Sequence, residues 1–367
     1  MSHSLRLGLV GLGWLGRLHA ETLMTGQVPR MQLTAVADID PIRRKRFTTL
    51  PTHATLEDMI AEAEIDAVLL ALPTYQRMPL TRTALEAGLH VMVERPLAVH
   101  KGEVERLLQT RLKPGQVAGA MFNQRADPCF LKVKELLDSG EVGHVQRVCW
   151  TVTDSFRNDC YYTISSWRAT WAGEGGGALL NPAIGYLDLM HWLFGPVRSV
   201  RTFCGFGRYH PIEVEDDATA FLEFETGATG VFITSTGEAP GTNRLEIAAQ
   251  RGRIVVESGH VTFIQNTVNV TDFSRTCSEP ATMPPKEEAR VMVPSEGGSE
   301  ASVLTNFADA VFDGETLIAP LAEGIHSLEL ANAMLLSSWT GDTIDLPLDS
   351  ERYLKWLDRK IAEADSR

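Results

Sequence analysis

Along the first third of the chain, apolar residues come in short, nearly unbroken runs separated by stretches with helical periodicity. LRLGLV (5–10), LTAVAD (33–38), DAVLLALP (66–73), HVMVERP (90–96) and QVAGAMFN (116–123) are of strand length. Residues 17–24, MPLTRTALEAG (78–88) and KGEVERLLQTRL (101–112) have the spacing of helices. Runs that do not alternate suit strands buried on both faces, and their alternation with helices predicts a doubly wound parallel sheet. Ligands of such sheets lie beyond the carboxyl ends of the strands, where Pro73, Thr74, Glu94, Arg95, Pro96, Asn123 and Arg125 fall.

From about Arg125 the pattern changes. A helix over CFLKVKELLDSG (129–140) precedes HVQRVCWTV, DDATAFLEFETGATGVFITST, RLEIAAQRGRIVVES and HVTFIQN, whose alternation predicts half-buried strands. The ETG at 225–227 and the QRG at 250–252 read as hairpin turns, so an open, mostly antiparallel sheet is expected. One face of such a sheet carries helices and the other is commonly covered by a second subunit. Residues 267–300 are polar and turn-rich with one strand, ARVMVP. Helices over TNFADAVFDG, GIHSLELANAMLLSSW and SERYLKWLDRKIAEA close the chain.

Composition narrows the function classes. A chain of 367 residues is long enough for two domains, and 44% hydrophobic with 22% charged residues excludes intrinsic disorder. The net charge of −13 argues against a nucleic-acid partner, which needs a basic face. No run reaches the ~20 apolar residues of a membrane span. SLRLGLVGLGWLG, with its four glycines, reads as strand and turn rather than a secretory leader, so a cytoplasmic protein is expected. The five cysteines form no C-x-x-C and the histidines have no ligand spacing, so neither disulfides nor a metal site is expected.

The first strand runs directly into GLGWLG, which places Gly11, Gly13 and Gly16 in G-x-G-x-x-G spacing, with Trp14 and Leu15 between them. Gly11 permits the tight turn, Gly13 lets the backbone approach a pyrophosphate, and Gly16 lets helix pack on strand. Asp38 ends the second strand 22 residues after Gly16, where a carboxylate accepts from a ribose hydroxyl. Its charge disfavours a 2′-phosphate, so NAD is expected over NADP, although Arg43 and Arg44 lie close by. The cofactor-binding set is Gly11, Gly13, Trp14, Leu15, Gly16, Asp38, Pro73, Thr74, Glu94 and Arg95. The fold expected is α/β: an N-terminal Rossmann domain over 1–124, and over 125–367 a substrate-binding and oligomerisation domain with the open antiparallel sheet.

Taken together, GLVGLGWLGRLHA, AVADID, ALEAGLHVMVERPLAV, WRATWAGEGGGALLN, VEDDATAFLEFETGATG and PGTNRLEIAAQRGRIVVE resemble the glucose–fructose oxidoreductase, inositol dehydrogenase and rhizopine-catabolism family, Gfo/Idh/MocA. The likeness covers essentially the whole chain. It implies a tightly held NAD or NADP, oxidation or reduction of a sugar, cyclitol or related polyol, and a homodimer or homotetramer formed through the C-terminal sheet. It also implies proton handling by the lysine of an E-K-P motif and by the histidine of GGG-x-L-x-(D/N)-x-x-x-H-x-x-D. Here the first motif reads Glu94-Arg95-Pro96. The second reads GGGALLNPAIGYLD, in which Asn181 and Asp188 match and Gly185 stands at the histidine position.

Neither replacement shuttles a proton near neutral pH, yet removing a hydride from a carbinol needs a base. Arg95 as a charged donor, Asn181 as a hydrogen-bonding group, and Asp188 or Tyr162 as substitute bases are the catalytic candidates. His191 lies about 240° around a helix from position 185 and points elsewhere. Asn123, Arg125, Trp167, Arg168 and Gly185 are the substrate-binding candidates, with Tyr161 and Tyr162 as possible stacking surfaces for a sugar ring. Two alternatives stand beside an oxidoreductase of altered chemistry: an enzyme that holds NAD and uses it only transiently, as in glycosidic elimination, and a cofactor-bound homologue without turnover.

Overall fold

The computed structural model describes residues 4–291, 293 and 297–366. The chain divides into two compact units: Met1–Ala126 with Ala172–Gly175 and Gly298–Leu328, and Asp127–Trp171 with Gly176–Gly297 and Glu329–Arg367.

The first unit is built on six parallel strands: β1 (Leu5–Val10), β2 (Met31–Ala37), β3 (Thr52–His53), β4 (Ala67–Leu70), β5 (His90–Val93) and β6 (Ala118–Ala120). Their order, β3-β2-β1-β4-β5-β6, is that of the Rossmann sheet. The crossovers carry helices α1 (Trp14–Met24), α2 (Pro41–Arg44), α3 (Leu56–Glu62), α4 (Thr74–Ala87) and α5 (Lys101–Leu108). Every residue of β4 is buried, as a strand covered on both faces requires. α4 ends at Gly88, which takes the left-handed conformation (φ 92°) common past a helix end.

The units do not follow a single cut of the chain, since a late segment returns to the first unit. Val303, Leu304, Phe307 and Ala308 share one buried cluster with Leu5, Leu7, Leu9, Leu23 and Leu33. Gly119 of β6 also bridges to Pro320.

The second unit contains α6 (Pro128–Asp138), β7 (Val145–Val152), α7 (Asp159–Thr163), α8 (Ile184–Phe194), β8 (Val197–Phe206), β9 (Glu215–Phe224), β10 (Thr229–Ser235), β11 (Asn243–Ala249), β12 (Gly252–Glu257), β13 (His260–Asn266), α9 (Val270–Thr276) and β14 (Lys286–Val291). The chain then forms α10 (Glu300–Asp313), which carries the returning cluster, then α11 (Gly324–Thr340), β15 (Ile344–Asp345) and α12 (Ser350–Asp365). Nine strands make one sheet in the order β14-β13-β12-β11-β7-β10-β9-β8-β15. Its pairings are antiparallel except β7 with β10. In β9, Ala218, Ala220, Leu222 and Phe224 are buried while Thr219 and Phe221 are exposed, the alternation of a sheet with one covered face. Of the expected strand ARVMVP, Met292 and Pro294 lie outside the described residues.

Candidate active site

In the first unit, β1 delivers the chain into a turn that only glycine permits. Gly11 has φ 95°, and a Cβ there would meet the Ala71 carbonyl oxygen at 2.4 Å. A Cβ on Gly16 would lie 1.8 Å from the Gly11 oxygen, so the start of α1 is packed directly on the turn. Gly13 caps α1 in an extended conformation without a side-chain partner, and a Cβ there would meet nothing within 4 Å. Its backbone therefore offers the open, N–H-rich approach that a pyrophosphate needs. Trp14 is exposed and Leu15 half-buried in the first turn.

Asp38, 7% exposed, fastens this turn from the end of β2. Its Oδ2 accepts from Leu12 N (2.7 Å) and its Oδ1 from Asp40 N (2.8 Å). A carboxylate has about four acceptor sites. Those not engaged by the backbone suit the two hydroxyls of a ribose, so the residues present fit a dinucleotide. The Arg43 guanidinium lies 3.4 Å from Oδ2, and Arg44 donates to the Asp38 carbonyl.

The ends of β4 and β5 are tied together by buried Arg77, which donates to Leu72 O (2.9 Å) and to Pro96 O. Pro73 caps α4 and Thr74 is wholly buried behind it. Glu94 is buried against His19, with Nε2 2.6 Å from Oε1, and its other oxygen accepts from Arg95 N (3.1 Å). Burial raises the Glu94 pKa, but the His19 hydrogen bond, then the charges of His19, Arg77 and Arg95, outweigh it and hold it below the usual range. The half-buried Arg95 guanidinium makes no hydrogen bond or ion pair among the described residues.

Arg125 and Asn123, expected to bind substrate, bond to the segment that returns late in the chain. Arg125 is 2% exposed, donates to Ile318 O (3.2 Å) and pairs with Glu323, while the Asn123 amide donates to Gly298 O (3.2 Å). Both fasten the returning segment to the first unit, and a buried cation that left its partner for a substrate would forfeit that pairing.

In the second unit, Glu215 shapes the triple-glycine turn. Its Oε1 accepts from Gly177 N (2.8 Å) and Leu179 N (3.0 Å), and its carbonyl from Ala178 N (2.8 Å). A Cβ on Gly177 would sit 1.9 Å from that carbonyl oxygen, so no other residue fits. The turn presents Asn181, and α8 follows with Gly185 and Asp188 both buried. His191, further along α8, is half-buried.

α7 carries the two tyrosines and is capped by the Asn158 side chain. Tyr162 shares a hydrogen bond with Thr236 Oγ1 (2.9 Å), and its ring lies 4.9 Å from that of His210. Burial, partly opposed by the Thr236 bond, pushes its hydroxyl up to about 12. Tyr161 differs: its oxygen accepts from Arg168 Nη1 (2.7 Å) and from Asn181 Nδ2 (2.9 Å). The Arg157 and Arg168 guanidinium carbons lie 4.7 and 4.8 Å from its ring centroid, and Arg168 lies 4.8 Å from the Trp167 ring.

Two family models match in succession, "Oxidoreductase family, NAD-binding Rossmann fold" over residues 5–122 and "GFO/IDH/MocA C-terminal domain" over 130–255. The chain belongs to the Gfo/Idh/MocA oxidoreductase family. Myo-inositol 2-dehydrogenase of Thermotoga maritima is 27% identical over 282 residues, 73% of this chain and 78% of that protein. Levoglucosan dehydrogenase of Pseudarthrobacter phenanthrenivorans is 23% identical across 94% of this chain and 98% of its own. Among solved structures, the WlbA dehydrogenase of Chromobacterium violaceum, in complex with NADH and UDP-GlcNAcA, superposes with a TM-score of 0.80. It shares 26% identity, over 95% of this chain and 97% of that one.

As a Gfo/Idh/MocA protein, the chain has a glycine turn of the kind that binds NAD. Sequence reasoning passed over His19, Glu215 and the donor-bound state of Tyr161. His19 and Glu94 are 75 positions apart, and no local spacing announces such a pair.

Proposed function

We propose that this chain is an NAD-dependent oxidoreductase interconverting a hydroxyl and a carbonyl on a sugar, cyclitol or related polyol, with Arg95 acting as a fixed cationic donor to the reacting oxygen. The observation that carries this reading is the unengaged Arg95 guanidinium, held by its backbone against the buried Glu94–His19 pair. A structural arginine in so enclosed a place is ordinarily paired. NAD supplies the hydride acceptor; Gly11, Gly13, Gly16 and Asp38 hold it, and Pro73, Thr74 and Glu94 line the strand ends beside it.

The chemistry named for the relatives supports the substrate class. They are dehydrogenases of inositol and levoglucosan, and one was solved with a nucleotide-linked sugar acid. Arginine keeps its proton, so Arg95 can polarise a carbonyl or steady an alkoxide but cannot take the hydroxyl proton. Within the second unit, Asn181, Trp167 and Arg168 offer polar and stacking groups of the kind a sugar takes. Tyr162 serves as an anchor for α7, since its hydroxyl is bound to Thr236, and Asp188 acts within α8. The subunits associate through the outer face of the nine-stranded sheet as a dimer or tetramer.

The test is turnover of myo-inositol, scyllo-inositol, levoglucosan and UDP-GlcNAcA with NAD, followed by NADH absorbance. Arg95→Met is expected to lower kcat/KM by about 10²–10³-fold, and Arg95→Lys by at least tenfold, because an ammonium cannot reproduce the planar fork. An Arg95→Lys variant as fast as wild type or faster would refute the assigned role.

A further inference from the structure

We propose that the second unit binds an anionic oxygen group of its ligand, a carboxylate or a phosphate, through Arg157 and the Tyr161 hydroxyl. This narrows the substrate class to acidic sugars and polyols, and in that respect rests on the reading above. The main chain of Arg157 is pinned from both sides. Its N–H donates to Thr236 O (3.0 Å), and its carbonyl accepts from Nε2 of buried His210 (2.8 Å). The side chain positioned in this way is half-buried, yet its polar contacts are slight. Nη1 donates to the carbonyl of neighbouring Phe156 at 3.3 Å, and Nε is buried with no hydrogen-bond partner among the described residues.

The guanidinium has no ion pair among the described residues either. Its charge rests on a ring, with Cζ 4.7 Å from the Tyr161 centroid. Such a contact attracts a cation but cannot neutralise it. Buried Asp216 does not answer the charge, because its oxygens accept from the backbone N–H groups of Arg208 (3.0 Å), Tyr209 (2.7 Å) and His210 (3.0 Å) and face His210 Nδ1 (3.1 Å).

Tyr161 gathers a second cation. The Arg168 guanidinium carbon lies 4.8 Å from the same centroid, and its Nη1 donates to the phenol oxygen at 2.7 Å. Asn181 Nδ2 donates to that oxygen as well, at 2.9 Å. These two N–H groups fill the phenol's acceptor positions and leave its hydrogen to be given. Two guanidinium groups at one ring repel each other, and an anion beside them turns that repulsion into attraction. The cluster thus presents positive charge, a planar fork of N–H groups and one O–H, which is the chemistry that recognises anionic oxygens.

The test is isothermal titration calorimetry of the full chain at low salt, with and without NADH, using glucuronate, glucose 6-phosphate and neutral glucose. At least one acid is expected to bind about tenfold more tightly than glucose or better, and the tighter of the two tells carboxylate from phosphate. Arg157→Gln should weaken that acid at least about tenfold and leave glucose within about twofold. If circular dichroism shows that Arg157→Gln does not fold, salt decides on the wild type. Raising NaCl from about 20 to about 500 mM should weaken the acid at least about fivefold and glucose less than about twofold. Failure of both acids to bind, acids held no tighter than glucose, or an acid affinity unchanged by Arg157→Gln or by salt overturns the assignment. Turnover of a neutral polyol would in that case leave the oxidoreductase reading standing. Acid binding that Arg157→Gln abolishes, in a wild type that oxidises nothing, supports the anion site and removes the oxidoreductase reading instead.

Discussion

Asp38 shows how one side chain sets two properties. Its carboxylate ties Leu12 and Asp40 into a fixed turn and, on the proposed reading, sets a negative charge against the 2′-phosphate of NADP. NADH should therefore bind at least tenfold more tightly than NADPH, a difference of ~1.4 kcal/mol or more. In Asp38→Ala the repulsion is gone while Arg43 and Arg44 remain, so the two affinities should come within about threefold, with NADH binding itself weakened by the looser turn. Fluorescence titration of wild type and variant with both cofactors measures this, and an unchanged ratio in the variant would assign the preference elsewhere. The place of Asp38 beside the glycine turn was legible in the sequence because motif and strand end stand at fixed spacing. The partners of Arg125 were not, since Ile318 and Glu323 lie almost two hundred positions away.

At the scale of elements, long apolar runs and glycine-marked turns announced themselves, whereas β8 did not. Ser199 and Thr202 are buried in it, so its polar residues do not mark the exposed face as alternation assumes. The opening turn of α5 holds a testable counterpart, the half-buried acid Glu103, 3.5 Å from the His100 imidazole. Burial, opposed by the charge of Arg106, pushes Glu103 up from 4.5 to about 7. The folded chain thus retains a proton that the unfolded chain releases near 4.5, so this residue's contribution to stability falls as pH rises from about 4.5 to about 7 and stays low above. Glu103→Gln should be more stable than wild type by roughly 2 kcal/mol at pH 8 and equal to it near pH 4. Urea denaturation at the two pH values decides; an advantage of the same size at both would exclude ionisation as the cause.

For the molecule as a whole, the outer face of the large sheet displays Phe203 and Phe221, 66% and 47% exposed on neighbouring strands. Exposed aromatic side chains on one sheet face suit the proposed subunit contact. If the chain self-associates through this face, the double variant Phe203→Glu, Phe221→Glu should shift it toward monomer in light scattering, and an unaltered mass would refute the contact. The return of α10 to the first unit bears on a different matter, the timing of biosynthesis. Val303, Leu304 and Phe307 complete an apolar cluster begun by Leu5 and Leu7. A ribosome adding about 5–20 residues per second emits the first strand long before that helix, leaving an interval on the order of tens of seconds. Throughout that interval the nascent chain carries an uncovered greasy surface, and a gene fragment ending at Ala126 would carry it permanently. The dinucleotide-binding unit is thus opened by β1 and closed only when α10 emerges.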